Sequence, residues 1–187
     1  MFIILINNET KIMEFYLIVL FVHITSALVL FMAMAIEWVG ITKLQHVANR
    51  EQVAEWIKSI LPLKYLFMSV GTLLLITGAY IVSAKWNWSA WIIVSMLLWL
   101  FLFLHITLVT GKRVEKLNKL LMSESQLPNI ELQGYINNLS LINLLQSEIA
   151  VGLGQIFIMT VKPDLVGSVC VIIVAVILGI IPVLAKK

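Results

Sequence analysis

The chain is short of charge. Asp, Glu, Lys and Arg make up only 12% of its 187 residues, where a soluble domain carries roughly 25%. That shortage excludes an ordinary water-facing surface. With 61% hydrophobic residues and a mean hydropathy of +1.02, lipid is the solvent the sequence is written for. Cysteine is nearly missing: a lone Cys170 builds no disulfide framework, CxxC redox pair or cysteine zinc site. Nine glycines and four prolines are too few for a collagen-like repeat or a low-complexity tail. Catalytic signatures are also absent: there is no GxSxG, HExxH or Walker loop, so the sequence leans away from an enzyme and leaves the question open. The net charge of +3 does not point to nucleic acid, because basic residues in a membrane chain serve topology first.

What is present is a set of long apolar runs. A bilayer core takes about 20 mostly apolar residues per helix. Five stretches fit, at Phe15–Ile36, Tyr65–Ala84, Trp91–Thr110, Leu139–Thr160 and Leu165–Ala185, which predicts an all-α transmembrane bundle in a single domain. The fourth carries Asn143, Gln146, Ser147, Glu148 and Gln155, so a four-span bundle is the fallback. Lys162-Pro163-Asp164 separates the last two stretches, with Asp164 placed to cap the fifth helix. So short a turn makes those helices antiparallel neighbours. Ala33-Met34-Ala35 resembles a signal cleavage site, but the apolar run before it is too long for a signal peptide and reads as an uncleaved span. Either Met1 or Met13 serves as a start.

Basic residues orient the bundle. Ten Lys and Arg fall on the side holding the loops after spans one and three and the C-terminus, and three (Lys11, Lys85, Lys162) fall on the other. This predicts a cytoplasmic C-terminus and an outside N-terminus in a bacterial cytoplasmic membrane. Tyr16, Tyr80, Trp86, Trp88 and Trp91 form the outer aromatic belt, and Trp38, Trp56, Tyr65 and Tyr135 the inner one. Trp99, mid-span, fits neither.

The cytoplasmic loops carry helices. Asn49 and Gln52 form a capping box ahead of residues 50–61, whose Val53, Trp56, Ile57, Ile60 and Leu61 share one face. An amphipathic helix tethered beside a bilayer is expected to lie in the headgroup layer, or else to dock a partner subunit. Residues 112–122 extend span three as a helix, and 123–129 form the linker before a fresh start at Pro128. Small-xxx-small pairs, Ala150/Gly154 and Ala175/Gly179, predict close packing of spans four and five.

Three ionisable side chains break the apolar background: His23, His105 and Glu148, joined by Gln155 as a polar neighbour. A charge at such depth costs about 2.5–3.5 kcal/mol even on lenient insertion scales, so each needs a partner or a purpose. The reading taken first is a structural polar core in a membrane component, with Glu148 hydrogen-bonded to His105 or to polar neighbours, setting helix register. A second is a proton-coupled transporter in which His23, Glu148 and His105 form a relay, Glu148 lying between the histidines in depth. A third is a haem b protein with His23 and His105 as axial ligands, although their depths differ by about 10 Å. No metal site is expected; the lipid bilayer is the certain partner, with companion membrane subunits or a second copy as further ones.

The sequence "LFVHITSALVL" ending at "EWVG", a basic loop helix, and "GTLLLITGAYIVSAKWNWSAWIIVSMLL" resemble small bacterial integral-membrane proteins of the copper-resistance-D-like type over residues 15–120. The resemblance matches His23 to a first-span histidine and Gly78, Tyr80 and Trp91 to the following hairpin. It implies a helical membrane bundle and carries no activity with it.

Overall fold

The computed structural model describes residues 2–47, 49–86, 88–122, 132, 134, 136–137 and 141–184. The described chain is helical. Helix α1 spans Phe2–Leu44, α2 Arg50–Ile60, α3 Leu63–Lys85 and α4 Ala90–His105. A π-helical turn, Ile106–Thr110, joins α4 without a break to α5, Gly111–Met122; α6 spans Leu141–Val161 and α7 Leu165–Leu184. Among the described residues four stretches are long and apolar enough to cross a membrane, Lys11–Leu44, Arg50–Lys85, Ala90–Met122 and Leu141–Val161. The fifth expected span is α7, an apolar helix of 20 residues whose stretch Leu165–Gly179 is shorter than a span on its own. The expected linker 123–129 lies outside the described residues, as do Asn87, Tyr135, Lys186 and Lys187.

Local chemistry sets the helix ends. The Asn49 side chain accepts from the Gln52 N–H at 2.8 Å and starts α2, while Pro62 stands where α2 gives way to α3. Asp164 accepts from the Gly167 N–H at 2.8 Å and starts α7, as its position predicts. Between α6 and α7, Lys162 turns the chain with a left-handed φ of 56°.

Glycine decides how closely the helices approach. A Cβ on Gly154 would stand 3.1 Å from the Ala175 Cβ, and one on Gly179 would stand 2.8 Å from the Ser147 Cα. Thus α6 and α7 pack almost backbone to backbone, the arrangement lipid favours when close contact replaces the hydrophobic drive. Gly71 of α3 receives Phe103 and Trp99 from α4, which accounts for a tryptophan in mid-span. Phe15 meets Tyr80 edge to face at 5.3 Å, and Lys85 lies over the Tyr16 ring, so α1 and α3 run antiparallel.

Helix α2 departs from the headgroup expectation. Its Val53, Ile57 and Ile60 are buried in the same core as Ile41, Leu44, Val114 and Leu117. Arg50 donates to the Leu121 carbonyl at 2.6 Å, closing the end of α5. The apolar face is used up on protein, because α1 and α5 both extend beyond the apolar runs and offer it a surface. α1 runs two turns past the expected boundary at Ile36, and this extension carries Glu37 into the bundle.

Candidate functional site

The polar centre is built by the π turn. In an α-helix, residues five apart point about 140° away from each other. A π turn bonds i to i+5 and stacks them; here the Gly111 N–H reaches the Ile106 carbonyl. His105 and Thr110 therefore face the same way, toward Glu148 of α6. The His105 Nδ1 lies 2.9 Å and the Thr110 hydroxyl 2.6 Å from Glu148 Oε1. Glu148 is fully buried, whereas the His105 ring is partly exposed and stacks on Phe101 at 5.9 Å. The threonine proton is donated to Oε1. Its partner oxygen, Oε2, is buried and without a hydrogen bond among the described residues.

Glu37 completes this centre. It is 5% exposed, close enough to Glu148 for the two carboxyls to interact electrostatically, and its own Oε2 is likewise buried and unpartnered among the described residues. It borders a small cleft shared with Lys64, Phe67 and Gly111. The sequence reading missed Glu37 by placing it at the membrane boundary. The signal that would have found it is the amphipathic α2, whose apolar face needs something to cover. Ile60 of α2 presses against Gly40, where a Cβ would stand 2.6 Å from its side chain, just one turn from Glu37.

His23 belongs elsewhere. Its Nδ1 lies 3.0 Å from the Thr77 hydroxyl on α3. The Thr77 hydroxyl also reaches the Leu73 carbonyl at 2.8 Å; an imidazole protonated on Nδ1 donates to it, and one protonated on Nε2 accepts from it. The contacts of α3 set the depths. Gly78 faces His23 and Gly71 faces Phe103, two residues short of His105. At 1.5 Å per residue the histidines are on the order of 10–13 Å apart along the bundle.

Two of the expectations are thereby corrected. Glu148 sits level with His105 rather than between the histidines, since the π turn brings the two into contact. The three residues form two centres, not one relay. A shared haem does not fit either: nitrogens on one iron stand about 4 Å apart, from two bonds of about 2 Å. Among the described residues no trio of His, Cys, Asp and Glu is placed to hold a metal ion.

Between the two centres lies a cavity of about 110 Å³, lined by His23, Ser95, Trp99, Gly152 and Gln155 among otherwise apolar side chains. Gln155 Nε2 donates to the Ser95 carbonyl at 3.1 Å, which joins α6 to α4. Ser95 is a residue that composition did not single out.

Comparison with known proteins agrees with this architecture. No curated protein and no solved structure matches the chain. One family model does, over residues 17–163, a stretch running from α1 to the end of α6. With most of its length matched, and with its long apolar helices and buried polar centre, the chain belongs to the family described as predicted integral membrane protein (DUF2269).

Proposed function

We propose that this multi-pass membrane protein binds and releases a proton at the Glu37–Glu148–His105 centre and couples that event to the packing of α1, α4 and α6. The observation that carries the reading is the pair of buried carboxyl oxygens, Glu37 Oε2 and Glu148 Oε2, that lack partners among the described residues. Buried polar atoms are usually paired, since each buried orphan costs about 1–3 kcal/mol. An orphan carboxyl oxygen is, by contrast, a place for a proton. Glu148 meets the His105 imidazole directly, and Glu37 borders a cleft that also holds Lys64. His105 is the partly exposed member of the three.

The same reading takes the basic-residue asymmetry at face value, with α2 and α5 cytoplasmic and Lys85 and Lys162 outside, in a bacterial cytoplasmic membrane. Lipid covers the many exposed apolar side chains of α1 and α7, and companion subunits or a second copy would bind there too. Kinship with copper-resistance-D-like proteins would rest on His23, Gly78 and Trp91, which border a single chamber.

The test is infrared difference spectroscopy of the reconstituted protein across a pH titration. A protonated-carboxyl C=O band that changes with pH, and that Glu148→Gln and Glu37→Gln each reduce, supports the proposal. No such band, or one indifferent to both variants, returns the centre to a purely structural role.

A further inference from the structure

The cavity of about 110 Å³ between the two centres presents almost nothing but apolar surface to a guest. Toward the Lys162 end it adjoins a second chamber of about 330 Å³, and His23, Gly78, Ser95, Met96 and Met159 border both. The outer chamber alone has the size of a small-molecule pocket, about 300–1,000 Å³. Met96 and Met159 stand where the two spaces meet, and unbranched thioether side chains rearrange readily around an apolar chain.

The outer chamber differs at its mouth. Trp86 and Trp91 meet edge to face at 5.6 Å, and Lys162 Nζ lies 4.0 Å and 5.7 Å from their ring centres. All three residues border the chamber, as does Tyr16, whose ring lies under Lys85. Neither lysine meets a carboxylate among the described residues. Asp164, the acid nearest Lys162 in sequence, has its Oδ1 occupied by the Gly167 N–H. Lys162 also stands where the backbone resists it: its φ of 56° is left-handed, and helices that end this way usually do so at glycine. Glycine would close α6 as well, but it would leave the mouth without its cation.

An apolar bore that ends at a cation with no acidic partner matches one chemistry, an apolar chain that ends in an anion. We propose that the two chambers bind a single-chain amphiphile of the fatty-acid class, its carboxylate at Lys162 and its chain running past Met96 and Met159 to Trp99. Trp91 at the mouth and Trp99 in the inner wall stand eight residues apart on α4, on the order of 12 Å, the reach of a medium-length acyl chain. The inner cavity has room for the end of one such chain, not for the paired tails of a phospholipid. The site stands apart from the Glu148 centre and goes beyond the proton-binding reading.

The experiment uses the full chain in phosphatidylcholine vesicles, titrated with ω-bromoundecanoate and with its methyl ester, because bromine at the chain end quenches tryptophan on contact. The acid should quench saturably, over the linear quenching that partition into lipid produces. Trp99→Phe should remove most of the saturable part. Lys162→Gln should weaken the acid about tenfold, the worth of a hydrogen bond to a charged group, and leave the weaker binding of the ester unchanged. Glu148→Gln should bind the acid as the parent does, so a failed proton centre and a failed pocket give different results. Quenching that is linear only, saturable quenching that survives Trp99→Phe, or equal loss of acid and ester in Lys162→Gln overturns the proposal.

Discussion

His105 and Thr110, five residues apart, reach the same oxygen of Glu148 from 2.9 and 2.6 Å. No α-helix does this, since it would turn one of the two away from the carboxyl. The π turn is thus the structural condition of the polar centre, and π turns inside α-helices often mark functional positions.

Thr110 makes the condition measurable. Thr110→Val keeps the shape and removes the donor, leaving Glu148 Oε1 with one bond fewer in a buried site. The expected loss is about 0.5–1.5 kcal/mol, the net worth of one hydrogen bond, since His105 still holds Oε1. Thr110→Ser keeps the hydroxyl and should lose much less. Unfolding midpoints in mixed detergent micelles compare the two, and equal midpoints would show that the hydrogen bond is not what matters.

The docking of α2 predicts a face-dependent pattern. Ile57 is wholly buried between α1 and α5, so Ile57→Ala should cost about 2–5 kcal/mol, as truncation of core Ile does. Glu55, on the exposed face, should tolerate Ala within about 0.5 kcal/mol. Hydrogen exchange locates the effect: the amides of α5 should exchange faster in Ile57→Ala, since α2 covers Val114 and Leu117. A helix lying in the headgroups would leave α5 protected as before.

These elements show where sequence reading succeeds. The spans were legible from the length of apolar runs, and the caps at Asn49 and Asp164 from residue type and spacing. The amphipathic stripe of α2 was legible as well, but amphipathicity says only that a face must be covered. Whether lipid or protein covers it depends on α1 and α5 running past their apolar runs, a tertiary fact. Glu37 was misplaced for the same reason. The π turn left no mark in the sequence, because a one-residue widening does not disturb the apolar pattern of "ITLVT". So His105, Glu148, His23 and Gln155 could be named and the Glu148–His105 hydrogen bond expected, yet the separate pairing of His23 with Thr77 and the addition of Thr110 could not.

The α6–α7 hairpin offers a graded test of close packing. A methyl on Gly179 would strike the Ser147 backbone at 2.8 Å, where only movement of a helix gives relief. A methyl on Gly154 would meet the Ala175 Cβ at 3.1 Å, which a small shift accommodates. Gly179→Ala should therefore fall in the range of about 1–3 kcal/mol typical of overpacking, and Gly154→Ala below it. Thermal denaturation of the two purified variants ranks them, and the reverse order would mean the hairpin closes differently.

Orientation follows from where the fold gathers the cations. α2, α5 and the start of α3 bring Lys58, Lys64, Lys112 and Lys119 to one end, where Lys64 and Lys119 flank Glu115 at 3.0 and 3.4 Å. Lys85 and Lys162 stand at the other end among Tyr16 and Trp86. Cytoplasmic loops retain excess Lys and Arg, so the first end should face the cytoplasm. With Cys170 replaced by Ser, single cysteines at Lys58 and Trp88, both exposed, report the sides. A membrane-impermeant maleimide should label Lys58→Cys only in inverted vesicles and Trp88→Cys only in intact spheroplasts. Ile57→Cys, one position from Lys58 but buried under α1 and α5, should stay unlabelled from either side until the protein is unfolded. Labelling of Lys58→Cys in intact spheroplasts would invert the topology, and labelling of Ile57→Cys would undock α2.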